Sequence, residues 1–156
     1  MPRNRPSPTQ PRVLAVASGG GHWVQLSRLL PSLEGCDLAL ASVSAEYGSQ
    51  LTARFYVFKD ATRWNKFGLM RQAAKLLWIF LKERPDIVVS TGAAPGYLAL
   101  RIGKALGART IWVDSIANVE RLSLSGQRVG PFADLWLTQW PELATSDGPL
   151  YRGSVV

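Results

Sequence analysis

An α/β fold built on a mainly parallel sheet is predicted by three features of this 156-residue sequence. Short runs rich in Val, Ala, Ile and Leu carry no polar alternation, as strands buried on both faces do. Each run passes into a glycine-bearing or polar joint and then into a segment with helical spacing, the repeat that generates parallel sheets. The composition is 47% apolar and 19% charged over a length usual for one domain, so a packed core is available without a disulfide or metal staple.

Taken in order, residues 1–11 hold four prolines without apolar periodicity and are expected to form a flexible tail, with one domain over 12–156. RVLAVAS (12–18) is the first buried strand; it runs into Gly19, Gly20 and Gly21 and then HWVQLSRLL, where Trp23, Leu26 and Leu30 share a face until Pro31. DLALASV (37–43) and RFYVF (54–58) are the next strands. Asn65 to Glu83 is the longest helical stretch, ended by Arg84 and Pro85. DIVVS (86–90) is another strand, followed by the joint TGAAPG and the helix YLALRIGKALG; RTIWVD (109–114) and DLWLTQW (134–140) complete the set.

Several classes of function are excluded. Cys36 stands alone, which removes a disulfide framework and multi-cysteine metal sites, and His22 is the only imidazole; nothing calls for a metal or a cofactor. The N-terminal MPRNRPSPTQP lacks the apolar core of a secretory signal, and no run approaches the roughly 18 apolar residues of a simple transmembrane helix. Net charge is +7, concentrated between Arg54 and Arg109, where eleven basic residues face three acidic ones for a local +8. That excess points to an anionic partner such as lipid head groups or a phosphorylated substrate. Nucleic acid is disfavoured, because the helix carrying much of the charge is too apolar for a phosphate-contacting face and no nucleic-acid motif is present.

Three joints hold the candidate chemistry. Ser18, Gly19, Gly20 and Gly21 form a strand-to-helix turn where backbone N–H groups can meet a phosphate, although SGGGH matches neither the dinucleotide fingerprint nor the P-loop. His22, in the first helical turn, is either a general base at the strand ends or part of a helix cap. Thr91 and Gly92 belong to a second joint expected at the same edge. The third segment, 113–126, is polar and long; Ser115, Asn118, Ser125 and Gly126 are candidate ligand contacts, and Asp114 or Glu120 could assist proton removal or instead cap a helix or pair with Arg121. In the 65–83 helix, Phe67, Met70, Ala74, Leu77 and Leu81 form a stripe widened by Leu69, Ala73, Leu76 and Phe80, with Trp78 and Ile79 outside it. Trp64, Lys66, Arg71, Lys75, Trp78 and Lys82 give this helix the aromatic and basic fringe of one lying in an anionic leaflet; burial against a partner protein is the alternative.

SGGGHWVQL, RPDIVVSTGAAPGYLALRIGKALGARTIWVDS and SLSG-x₄-PFADLWLTQWPEL, in this order over about 12–156, resemble the acceptor-side subunit of two-subunit glycosyltransferases. That family includes the membrane-anchoring partner of the dolichol-linked N-acetylglucosaminyltransferase and bacterial exopolysaccharide relatives. A more distant similarity is to the N-terminal half of the peptidoglycan lipid-intermediate N-acetylglucosaminyltransferase. The resemblance implies a Rossmann-like domain equivalent to the N-terminal half of a GT-B enzyme. It implies that Gly19 to His22, Thr91, Gly92 and the 114–126 loop line a cleft for a polyprenyl-diphosphate-linked acceptor. A donor-binding glycosyltransferase subunit is the expected partner, since YRGSVV resembles the strand leading into the second half. Peripheral attachment at the cytoplasmic face of the inner membrane is the expected location. At Asn118, relatives often carry a basic residue.

Overall fold

The Val- and Ala-rich run after Pro11 is strand β1 (Arg12–Val16), and in the computed structural model, which describes residues 10–155, it lies inside a seven-stranded sheet. β2 (Asp37–Ser42) and β3 (Arg54–Val57) stack on one side of it; β4 (Ile87–Ser90), β5 (Arg109–Val113), β6 (Leu135–Thr138) and β7 (Leu150–Tyr151) stack on the other, giving the order β3-β2-β1-β4-β5-β6-β7. Every recorded pairing is parallel. Most of the expected tail lies outside the described residues. β7 begins one residue before YRGSVV and covers only Leu150 and Tyr151, paired with Leu137 and Thr138.

Side chains alternate across the sheet. Val13, Ala15 and Ala17 face helix α1 (Gly21–Leu29), where Trp23 and Leu26 pack on Leu40 and Val89. Leu14 and Val16 face the opposite layer, α2 (Lys66–Glu83) and α3 (Ala93–Ala105), and meet Leu76, Ile79, Phe80, Ala99 and Leu100. Pro31 converts the end of α1 into a 3-10 turn over Leu30–Leu33. α3 starts at Ala93, four residues before Tyr97, the expected start. Pro95 is accommodated because N–H groups in a first turn have no helical partner to lose.

The orientation of α2 differs from expectation. Its inward face is Gly68, Gln72, Leu76, Ile79 and Phe80, whereas Phe67, Met70, Leu77 and Leu81 of the apolar stripe are exposed, Phe67 by 75% and Met70 by 70%. Gly68 fits the tight start of the inward face: a Cβ there would lie 2.9 Å from Asn65 Nδ2 of the helix cap and 3.3 Å from the Ala61 Cβ. The buried Gln72 amide donates to the Lys59 carbonyl at 3.3 Å, and Ile79, expected outside the core, is fully buried.

The lower rim is pinned by charge. Arg54, first in β3, holds Glu83 at the end of α2 at 2.8 Å and Asp37 at the start of β2 at 2.9 Å, and the Tyr56 hydroxyl donates to Glu83. Burial and the Glu83 contact push the Tyr56 phenol up to about 12. Burial works to raise the Glu83 carboxyl, but the hydrogen bonds from Arg54 and Tyr56 outweigh it and hold the group below its ordinary value. A carboxyl depressed by folding stabilises the native state above its unfolded pKa, and that contribution disappears as pH falls through the folded value. Melting curves from pH 7 to 3 are expected to show a shallower acid loss for Glu83→Gln than for the wild type; parallel curves would remove the cluster from the acid response.

Candidate functional site

Strand order reverses at β1: the chain goes outward through β2 and β3, then returns to start the other side with β4. The carboxyl ends of β1 and β4 therefore flank the switch point, where an open parallel sheet forms its ligand crevice. β1 delivers residues 19–21 into α1, and β4 delivers Thr91 and Gly92 into α3. Neither helix start has a side-chain cap or an acidic residue in its first turn, so both bring N–H groups and positive dipole ends to one place.

The two joints are locked together. Thr91 Oγ1 donates to the His22 carbonyl at 2.6 Å, and His22 Nδ1 lies 3.1 Å from the Thr91 carbonyl. A carbonyl only accepts, so Nδ1 carries the proton, and in the neutral ring Nε2 is left with the lone pair. The half-buried ring lies directly over Gly92: a Cβ there would sit 2.5 Å from Nδ1 and 2.7 Å from Cε1. Gly92 has φ +139° and the following Ala93 φ +64°, so two successive residues hold left-side conformations, the second without glycine's freedom. Ser90 Oγ accepts the Gly92 N–H at 3.2 Å. On the other joint, the Gly20 N–H donates to the Tyr47 hydroxyl at 3.2 Å, and the Tyr47 ring stacks on Trp23 with centroids 4.8 Å apart. Gly19 is half-buried against Val43 and Tyr47, Gly21 is exposed in α1, and Ser18 is buried with its carbonyl accepting from Ser42 Oγ at 3.4 Å.

The 114–126 loop reaches the same rim from β5, but its polar groups serve the loop itself. Asp114 is 1% exposed and accepts from Trp112 Nε1 at 3.1 Å, Ser123 Oγ at 2.6 Å, Ser123 N–H at 3.0 Å and Asn118 Nδ2 at 3.2 Å. With these four donors on its carboxylate and almost no exposure, Asp114 ties the loop to the end of β5. Asn118 donates to that anchor, and Ser115 is buried, its Oγ accepting from Gln25 and from the Ala117 N–H. Ser125 and Gly126 belong to a short helix, α4 (Leu124–Arg128), capped by Ser123, and Gly126 is buried against Asp114. Glu120 is exposed in the bend before α4. Sequence reasoning missed Tyr47, Gln25 and Gln139; the signal was a glutamine embedded in each of two apolar runs, HWVQL and LWLTQW.

α2 also belongs to this rim. It begins after the carboxyl end of β3 and descends toward the start of β4, so Trp64, Phe67 and Met70 stand at the level of the crevice. Trp64 is 81% exposed, and Lys66, Arg71, Trp78 and Lys82 are exposed, with Lys75 half-buried. Arg63 lies over Trp64 at 4.8 Å, while Lys75 and Lys82 lie over Trp78 at 4.6 and 5.1 Å. No helix among the described residues is long and apolar enough to cross a membrane.

Fold and crevice together define a Rossmann-like domain of the kind found in GT-B glycosyltransferases. MurG from Acinetobacter baumannii superposes with a TM-score of 0.75 over 92% of this chain and 46% of that one, at 12% identity. UDP-N-acetylglucosamine 2-epimerase from Rickettsia bellii gives 0.66 over 83% and 39%, at 11% identity, so the chain spans less than half of each of these solved neighbours. The family model described as oligosaccharide biosynthesis protein Alg14-like matches residues 65–154, and the chain belongs to that family. Among its relatives are proteins named UDP-N-acetylglucosamine transferase subunit ALG14. That of Cryptococcus neoformans is 29% identical over 88% of this chain and 77% of its own length, and that of Schizosaccharomyces pombe 32% identical over 77% and 55%.

Proposed function

We propose that this chain is the acceptor-side subunit of a two-subunit glycosyltransferase. It holds a polyprenyl-diphosphate-linked acceptor between the β1 and β4 joints while a partner subunit supplies the nucleotide-sugar. The observation that carries this reading is the convergence of two uncapped helix starts on the locked His22–Thr91–Gly92 contact. The N–H groups suit a diphosphate, and His22 Nε2 suits a proton from the acceptor hydroxyl. In the reaction the hydroxyl oxygen bonds to the sugar's anomeric carbon, the bond from that carbon to the nucleotide diphosphate breaks, and the hydroxyl proton passes to Nε2. The names of the family relatives support UDP-N-acetylglucosamine as the donor.

The exposed face of α2 gives this subunit its seat on an anionic membrane surface. Each surface cation contributes about 1 kcal/mol near an anionic leaflet, and the exposed tryptophans suit the interface. The occupied state of Asp114 favours a second reading, in which the chain only recruits and positions its partner.

Both are tested with the chain copurified with a donor-binding subunit and presented with vesicles containing acidic phospholipid and a polyprenyl-diphosphate acceptor. Trp64→Ala with Trp78→Ala is expected to lower vesicle cosedimentation at least about tenfold. His22→Ala is expected to lower transfer without releasing the complex. Unchanged transfer in His22→Ala leaves the recruiter reading, and unchanged cosedimentation in the tryptophan pair removes α2 from the membrane.

A further inference from the structure

Two glutamine side chains are buried where the crevice meets the rest of the sheet, Gln25 with 5% and Gln139 with 3% exposure. Their hydrogen bonds form a chain. Gln139 Nε2 donates to Gln25 Oε1 at 2.6 Å and to the Asp114 carbonyl at 2.9 Å. Gln25 Oε1 also accepts the Ile116 N–H at 3.4 Å, and Gln25 Nε2 donates to Ser115 Oγ at 3.1 Å. Gln139 Oε1 accepts the Val155 N–H at 2.7 Å. All four amide heteroatoms are therefore engaged, in a region where apolar side chains would otherwise complete the packing between α1 and the sheet.

The location gives this pair a task. Gln25 lies three residues beyond His22, one turn along α1, and its amide grips the first residues of the 115–126 loop. Gln139, just past β6, holds the Asp114 carbonyl immediately before those residues and the Gln25 amide that grips them. Asp114 holds the far part of the loop through Asn118 and Ser123, so the near part depends on the glutamines, with Trp140 Nε1 adding a bond to the Ile116 carbonyl at 2.7 Å. From this geometry we infer that Gln25 and Gln139 are positioning residues. They form an amide clamp that fixes the loop against the helix carrying His22, and so set the width of the acceptor crevice.

The inference rests on the acceptor-site reading, and its test separates the two. Gln25→Leu and Gln139→Leu are each expected to speed amide hydrogen exchange at residues 116 and 117 by at least about tenfold in the chain alone, with β1 and β4 unchanged. In the complex with the donor-binding subunit, the KM for a polyprenyl-diphosphate acceptor is expected to rise about tenfold while kcat stays within about twofold. Gln25→Glu is expected to keep loop protection near wild type. Its carboxylate still accepts from Gln139 Nε2 and the Ile116 N–H, and the Ser115 hydroxyl turns to donate to it. Unchanged loop exchange in both leucine variants overturns the clamp. So does loosening of the loop with no rise in KM, or exchange that rises over the whole sheet. If the wild-type complex shows no dependence on the acceptor, the acceptor reading fails and the exchange result alone decides the clamp.

Discussion

Gly92→Ala is expected to reduce sugar transfer by the complex at least about 100-fold, since displacing a reacting group by roughly 1 Å has this effect. The added methyl would be 2.5 Å from His22 Nδ1, and the ring is too tightly held to remain where it is: Nδ1 bonds the Thr91 carbonyl, and Thr91 Oγ1 holds the His22 carbonyl. Either the ring swings away, losing the bond that sets its tautomer, or the β4–α3 joint moves and carries the α3 N-terminus out of line. Residue 92 also has φ +139°, which costs alanine about 1–3 kcal/mol, so melting falls modestly while transfer collapses. Transfer and melting temperature measured on the same preparation check this. Turnover within threefold of wild type would mean that the His22–Gly92 contact has no part in the chemistry.

Asp114→Ala is expected to have the largest effect on stability, about 3–4 kcal/mol, because charged hydrogen bonds contribute about 1.5–3 kcal/mol each and their loss strands buried donors. Trp112 Nε1, Ser123 Oγ, Ser123 N–H and Asn118 Nδ2 lose their common acceptor together. For a chain of this length the melting temperature should fall by roughly 10 °C. The discriminating comparison is between melting and transfer. A variant that melts within 2 °C of the wild type yet transfers 100-fold more slowly would assign Asp114 the role of proton acceptor. Loss of both in proportion identifies it as the anchor described above.

Much of the fold was legible because buried parallel strands leave a strong mark. RVLAVAS, DLALASV, DIVVS and RTIWVD each lie over an observed strand, and the glycine joints after β1 and β4 do share one edge. The rotation of α2 was not legible, since the helix carries apolar residues around most of its circumference. Hydropathy favours the stripe with Phe67, Met70 and Leu77, whereas packing favours the side where Gly68 permits close approach and Gln72 can reach the Lys59 carbonyl. Neither glycine nor glutamine adds to an apolar count. The hydrogen bonds of Asp114 were not legible for a related reason. Its type and location at a strand end suit a base as well as an anchor, and only the fold brings Trp112, Ser123 and Gly126 around it. Gln25 and Gln139 are 114 positions apart, and nothing local to either records the other.

The bare aromatic end of α2, at the level of the crevice, bears on the kind of search that the proposed membrane seat would impose. On that proposal, a chain resting on Trp64 and Phe67 meets its acceptor by diffusion within a plane. Encounter frequency then follows the number of acceptor molecules per unit of membrane area rather than per volume of solution. Diluting the vesicles with plain phospholipid should therefore slow the reaction even when the bulk amounts of subunit and acceptor are unchanged.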